Sequence, residues 1–167
     1  FRTAFNILGP LANPAGVTAQ VMGVADAALL DRICETLKML GAKEAMVVHG
    51  QGMDEISTLG VTEVRWLKDG EITRTEIDAA ELGFLAPSLD ELGSGDAIEN
   101  AAIIRDVFSG KDKGPRRDIV ILNAAAAIIV AGLAEDFNSA IELAQNAVNN
   151  GAASDCLEKL IEVSNEV

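Results

Sequence analysis

The sequence is poor in cysteine, histidine and positive charge. Its 167 residues include two cysteines, one histidine, and 13 lysines and arginines against 26 aspartates and glutamates, for a formal net charge of −13. Cys34 and Cys156 lie far apart, so neither a zinc site nor a disulfide framework is indicated, and both are expected to be buried thiols on helices. A nucleic-acid backbone needs clustered lysine and arginine, so the charge balance argues against nucleic acid as a partner.

A long hydrophobic run is also lacking. The most apolar stretch, residues 119–131, is interrupted by Asn123 and is shorter than the roughly 18 apolar residues that a membrane-spanning helix needs. We therefore expect a buried central helix there and no membrane partner. The chain opens at Phe1 with an apolar segment and turn residues, which is not the pattern of a targeting leader. From this we expect part of a longer, cytoplasmic protein in a reducing compartment.

The first half of the sequence predicts a β-sheet. Residues 19–24 and 44–48 are short apolar runs on either side of a helical pattern, and they predict a parallel β-α-β unit. Residues 62–67 and 71–77 alternate in polarity around an Asp-Gly turn, which predicts a β-hairpin. The sheet is therefore expected to be mixed but largely parallel.

The second half predicts helices. Ser88 and Glu91 form a capping-box pattern ahead of a short helix. Four longer helical patterns then follow, punctuated by glycines, at residues 96–108, 117–131, 138–149 and 154–163. The predicted fold class is α/β, with a mixed sheet, flanking helices and a mostly helical C-terminal half.

The strongest candidate site follows the second predicted strand. In open α/β sheets, ligands bind beyond the carboxyl ends of strands, which is where residues 49–55 fall. Gly50 and Gly52 permit a close backbone approach or a positive φ, and Asp54 and Glu55 are adjacent hard oxygen donors. Magnesium commonly takes one or two protein carboxylates, several waters and the phosphates of a substrate, so the pair suits such an incomplete cage. A pair of solvated loop acids is the alternative.

Other polar residues are interpreted as structural, and no catalytic residue is assigned. His49, the single histidine, has the titration range of a general acid or base, but we favour a structural hydrogen-bonding role. The amide of Asn123, in its apolar helix, is expected to tie that helix to a neighbouring backbone. Asp96 and Glu99 are explained as helix N-terminal residues. The basic segment 111–117 either binds an anion or is solvated.

Four segments carry a family resemblance. They are residues 2–14 (RTAFNILGPLANP), residues 48–50 with 53–57, residues 99–101 and residues 122–125. In this order they resemble segments of the anthranilate phosphoribosyltransferases, which are similar to glycosyltransferase family 3 and the class II nucleoside phosphorylases. The match covers essentially the whole chain, and its first segment is the most specific.

The resemblance implies a transferase. Members of that family move a phosphoribosyl group from phosphoribosyl pyrophosphate to the amine of anthranilate in tryptophan biosynthesis, through an oxocarbenium-like state as pyrophosphate leaves. The resemblance also implies that Asp54 and Glu55 hold one Mg²⁺, a cofactor that neutralises charge on the leaving group. Because these enzymes usually dimerise through a small N-terminal helical domain, the parent protein is expected to be a homodimer.

Parts of the family pattern have no counterpart in this chain. These parts are the Gly-Thr-Gly-Gly-Asp pyrophosphate loop and the N-terminal helical domain. We therefore expect residues 1–167 to form a single α/β domain, the C-terminal part of the catalytic domain, which is inactive alone. One alternative is a fragment of a pyrimidine nucleoside phosphorylase-like enzyme, although that pattern does not supply the opening segment 2–6. The other is a non-catalytic domain that binds divalent ions.

Overall fold

The computed structural model describes residues 9–166, which form a four-stranded sheet with helices on both faces. Residues 2–8, which carry part of the first resembling segment, lie outside the described residues. The strands are β1 (Ala19–Gly23), β2 (Glu44–Gly50), β3 (Thr62–Lys68) and β4 (Glu71–Ile77). The helices are α1 (Leu30–Met39), α2 (Ala97–Phe108), α3 (Pro115–Val130), α4 (Phe137–Asn149) and α5 (Ala152–Ser164). Short 3₁₀ turns occupy Ala27–Leu29 and Leu89–Leu92.

The sheet is mixed, as predicted, but it is not largely parallel, since only one of its three strand pairs in residues 9–166 is parallel. Its strand order is β1-β2-β3-β4, in which β1 pairs with β2 in parallel and the other two pairs are antiparallel. The predicted β-α-β unit and hairpin are therefore confirmed. Asp69 and Gly70 join the hairpin strands with φ values of 51° and 78°. Positive φ at both central residues is the type I′ geometry that suits the twist of a two-residue hairpin.

Strand β2 is buried on both faces because two layers of helices enclose it. Ala45 and Val47 point towards α1, while Met46 and Val48 point towards α3 and α4. This arrangement explains the continuous apolar run of β2, since alternate side chains of a strand enter opposite layers. The α1 layer is built by apolar residues at helical spacing, of which Leu30 is fully covered and Leu37 is 3% exposed.

Helix α3 is the centre of the second layer. It begins at Pro115, in the first turn where a missing N–H leaves no bond unmade. Its buried face comprises Ile121, Leu122, Ala125, Ala126, Ile129 and Val130. Small alanines on that face let α4 pack closely, and the predicted buried central helix is confirmed. No helix within residues 9–166 is long and apolar enough to cross a membrane.

The two cysteines differ in their environments. Cys34 is fully buried in α1, and loss of hydration raises the pKa of its thiol to about 11. Cys156 is exposed, so the expectation that both thiols are buried is wrong for Cys156. It lies on α5, an outer helix with no fully buried residue. The capping box of Ser88 and Glu91 is confirmed, but it opens a four-residue 3₁₀ turn.

Candidate metal-binding loop

The loop that carries Asp54 and Glu55 crosses the carboxyl ends of the two parallel strands. Gly23 ends β1, and a Cβ at this position would lie 1.5 Å from the carbonyl oxygen of Asp54. Gly50 ends β2, and a Cβ there would lie 2.6 Å from the carbonyl oxygen of Glu55. Glycine at both strand ends therefore allows the backbone of the acidic pair to lie directly against the sheet. The loop occupies the position that the sequence predicts for a ligand site.

A tight turn sets the direction of this loop as it leaves β2. The N–H of Gly50 donates to the carbonyl of Met53 at 3.1 Å, and the N–H of Met53 donates back at 2.9 Å. Between them, Gln51 and Gly52 have φ values of 52° and 84°, so this is again a turn with positive φ at both central residues. Because residues 49 and 50 belong to β2, the loop begins at Gln51, two residues later than predicted. Gly50 serves a close approach of the protein's own backbone, whereas Gly52 serves the positive φ.

The far side of the acidic pair is held by Asn123 of α3. Its Oδ1 accepts the N–H of Ile56 at 2.9 Å, and its Nδ2 donates to the carbonyl of Ile56 at 2.8 Å. Beyond Ile56, the N–H of Ser57 donates to Oγ1 of Thr62 at 3.0 Å, which ties the loop to the start of β3. The interpretation of Asn123 as a tie between its helix and a neighbouring backbone is confirmed.

His49 has a structural contact. Its Nδ1 lies 2.8 Å from the carbonyl oxygen of Val24, and since a carbonyl only accepts, this ring nitrogen carries the proton. The bond links β2 to the residue that follows β1, one position beyond Gly23. The contact supports the structural role favoured for His49.

The two acidic side chains are exposed and close to one another along the chain. Although Glu55 reaches solvent, it also lines a cavity, and partial loss of hydration, followed by the negative charge of Asp54, raises its pKa. The fold therefore makes it less favourable for both carboxylates to be ionised together. Within residues 9–166, no three histidine, cysteine, aspartate or glutamate side chains are grouped as a metal cage. Asp54 and Glu55 can accordingly supply part of a coordination sphere, whose remaining ligands come from elsewhere.

Glu55 also lines a cavity of about 480 Å³ between the acidic loop, the 3₁₀ turn 89–92, α2 and the start of α3. Arg116 lines the same cavity, and its Nη2 donates to the carbonyl of Gly93 at 2.8 Å. Its Nε is buried and has no hydrogen-bond partner among the described residues. The cavity thus combines an apolar lining with one acidic and one basic side chain.

Arg116 is one of several basic residues in segment 111–117, and sequence reasoning did not prefer it as a site residue. The structure separates the members of that segment. Lys111 pairs with Asp106 at 2.9 Å, and Arg117 donates to Asn149 at 3.2 Å. Arg116 turns instead towards the cavity. Its place directly after Pro115, in the first turn of α3, is the one signal that distinguishes it in the sequence.

Comparisons with known proteins agree with this architecture. Residues 1–154 match the family model described as glycosyl transferase family, a/b domain. The chain is 48% identical over 163 residues to the anthranilate phosphoribosyltransferase of Methanocorpusculum labreanum, covering 98% of this chain and 48% of that protein.

Solved structures give the same result. The anthranilate phosphoribosyltransferase of Thermus thermophilus is similar with a TM-score of 0.86 and 38% identity, covering 95% of this chain and 47% of that one. A variant of the Saccharomyces cerevisiae enzyme, with magnesium bound, is similar with a TM-score of 0.89 and 26% identity, covering 100% of this chain and 49% of that one. The chain thus spans about half the length of the relatives it matches.

Proposed function

This chain belongs to the glycosyl transferase family, a/b domain, and we propose that it forms part of an anthranilate phosphoribosyltransferase. The similarity to enzymes of that name in Methanocorpusculum labreanum and Thermus thermophilus supports the assignment. It favours phosphoribosyl transfer over the nucleoside phosphorylase alternative. Since the chain spans about half of each relative, the reaction is a property of the whole protein, and residues 1–167 contribute one part of its catalytic domain.

In the proposed reaction, the bond between C1 of the ribose and the pyrophosphate oxygen breaks, and a bond from C1 to the anthranilate nitrogen forms. The amine loses a proton and pyrophosphate leaves with the bonding electron pair. Magnesium, when bound, neutralises negative charge that develops on the leaving group. The part we assign to this chain is to hold that ion at the edge of the sheet.

The observation that carries this assignment is the geometry of the acidic loop. Asp54 and Glu55 lie across the carboxyl ends of two parallel strands, and the backbone on both sides of them is fixed by hydrogen bonds. Two exposed carboxylates, with no third histidine, cysteine, aspartate or glutamate grouped with them in residues 9–166, suit magnesium, which keeps several waters and takes substrate phosphates. A divalent cation also offsets the mutual repulsion that contributes to the raised pKa of Glu55. The magnesium found in the yeast relative supports the choice of ion.

A magnesium titration of phosphoribosyl transfer tests the proposal. The whole protein is assayed as wild type and with the double substitution Asp54→Asn/Glu55→Gln, which keeps side-chain size and removes both charges. We expect turnover to fall by about 100-fold or more, the scale typical for removal of a group that stabilises developing charge. The isolated chain is assayed in parallel and is expected to show no turnover.

The control is a second pair of the same residue types. Asp155→Asn/Glu162→Gln removes the same two charges from the exposed surface of α5, a helix that contributes no residue to the loop or to the lining of the adjoining cavity. It is expected to leave the magnesium dependence unchanged. Transfer that persists in the loop variant would return Asp54 and Glu55 to the role of solvated acids. Turnover by the isolated chain would contradict the proposal that it supplies only part of the site.

A further inference from the structure

Asn123 makes three hydrogen bonds, and two of them go to one residue of the acidic loop. Besides accepting from and donating to Ile56, its Nδ2 donates to the carbonyl of Ile119, one turn earlier in α3, at 2.9 Å. Both amide protons and the amide oxygen are therefore used. The orientation of the amide follows from its partners, because only Oδ1 can accept the N–H of Ile56 and only Nδ2 can donate to its carbonyl.

The hydrogen bonds between Asn123 and Ile56 lie in a buried environment, where their loss is costly. Ile56 is fully buried, and Leu122 beside Asn123 is buried as well. A buried backbone N–H or carbonyl that loses its partner cannot turn to water instead, so removal of the amide leaves polar groups of Ile56 unsatisfied. The loop would have to move to recover them.

Such a movement acts directly on the acidic pair. Glu55 precedes Ile56, and the turn that closes at Met53 precedes Asp54. The two acids are therefore the only residues between two fixed points, and consecutive Cα atoms are separated by about 3.8 Å. With both ends held, the carboxylates can differ in position mainly through their own side-chain torsions. Without Asn123 the backbone of Ile56 loses both of its hydrogen bonds to this side chain, and the next tie is one residue further on, from Ser57 to Thr62.

We propose that Asn123 is a positioning residue, which sets the affinity of Asp54 and Glu55 for a divalent cation by holding Ile56 in place. This inference rests on the proposed metal role of the loop. Magnesium demands near-ideal octahedral geometry, so displacement of its protein ligands weakens binding. Loss of a residue that orients metal ligands typically lowers metal affinity about 10- to 100-fold.

The test measures metal binding apart from catalysis. Mn²⁺ is titrated into the whole protein and its free-ion electron paramagnetic resonance signal is followed, while the half-activating Mg²⁺ concentration is measured in the transfer assay. Asn123→Leu is expected to weaken Mn²⁺ binding and raise the half-activating Mg²⁺ concentration about 10-fold or more. The kcat at saturating magnesium is expected to be largely retained, because the carboxylates themselves are still present.

A second variant separates positioning from folding. In Asn123→Ser the hydroxyl can still donate to the carbonyl of Ile119 within the helix, but it is too short to reach Ile56. It is expected to weaken metal binding in the same direction. Ile129→Val is the matched control, since Ile129 is buried on the same helix but lies beyond the loop contact. It is expected to lower stability without changing Mn²⁺ affinity.

The outcomes distinguish failure of the positioning role of Asn123 from failure of the proposed metal role of the loop. Unchanged Mn²⁺ affinity in folded Asn123→Leu or Asn123→Ser overturns the positioning role, and so does an equal loss in Ile129→Val. If Asp54→Asn/Glu55→Gln also binds Mn²⁺ like wild type, the metal role of the loop has failed and the inference falls with it. If only the acidic double substitution loses the metal, the proposed function stands and the inference alone is overturned.

Discussion

Replacement of Gly23 by alanine is the sharpest structural test of the loop position. The added Cβ would lie 1.5 Å from the carbonyl oxygen of Asp54, whereas ordinary contact begins near 3.4 Å. Either the strand end or the loop must therefore move by about 1.9 Å, because neither the added Cβ nor the carbonyl oxygen can be moved by rotation of a side chain. At Gly50 the corresponding closest approach is 2.6 Å, so alanine there requires a displacement of about 0.8 Å.

These displacements predict a graded loss of stability. Overpacking typically destabilises a protein by about 1–3 kcal/mol. Because the overlap at Gly23 is large, we expect Gly23→Ala to destabilise the protein by about 3 kcal/mol. For a chain of this length, about 1 kcal/mol lowers Tm by about 2–4 °C, so the expected decrease is about 6–12 °C. Gly50→Ala is expected to lower Tm by less. In both variants Mn²⁺ affinity should fall, because the backbone of the acidic pair is displaced.

Circular dichroism during thermal unfolding and the Mn²⁺ titration measure the two effects. Gly9→Ala is the stability control, since a Cβ there has no neighbour within 4 Å among residues 9–166 and the φ of Gly9 lies outside the left-handed region. A Gly23→Ala protein with the Tm and Mn²⁺ affinity of wild type would show that the loop does not lie against the end of β1. The reasoning from close backbone approach would then be refuted.

Two further predictions follow from thiol and carboxylate environments. Cys156 is expected to react with a thiol reagent at pH 8 in the folded protein, whereas Cys34, buried and with its pKa raised to about 11, should react only on unfolding; equal labelling of both would contradict this. Hydrogen bonding and ion pairing with Arg65, and the charge of Arg74, lower the pKa of Asp31. The ionised carboxylate of Asp31 therefore stabilises the fold above the unfolded pKa of 3.8, and this stabilisation is lost as the pH falls through the lower folded pKa. Asp31→Asn should therefore lower the free energy of unfolding at pH 7 and have little effect near pH 2, as urea titrations at the two pH values would show.

Local patterns were sufficient to predict most of the fold. The alternation of residues 62–77 around Asp69-Gly70 fixes a hairpin without reference to the rest of the chain, and the continuous apolar run of β2 is explained by cover on both faces. The differences from the expected structure, at Cys156 and at the turn after Ser88, arise because a local pattern does not describe what lies beyond it. Helical periodicity predicted an apolar face for Cys156, but periodicity does not report whether another element covers that face. The capping box at Ser88 marked where a turn begins and carried no information about its length.

The candidate site could be located from the sequence, but its support could not. Asp54 and Glu55 were identified from residue type and from their place after a strand. Asn123 is 67 residues from Ile56, so the contact that holds the pair exists only in the folded chain. The meeting of Gly23 with Asp54 is likewise a product of parallel pairing between β1 and β2. Arg116 lies among other basic residues in the sequence, and only the folded structure shows that it lines the cavity beside Glu55.

The arrangement of supports also has a physical rationale. Two adjacent carboxylates repel each other, and after loss of hydration the charge of Asp54 is the second cause of the raised pKa of Glu55. The two acidic side chains therefore favour separation, and the geometry of the pair comes from its neighbours. Here those neighbours are the end of β1, the turn after β2 and an amide of α3, which belong to three separate elements. Metal affinity should therefore depend on the contact of Asn123 with Ile56, so a substitution that breaks this contact can weaken binding without touching a ligand.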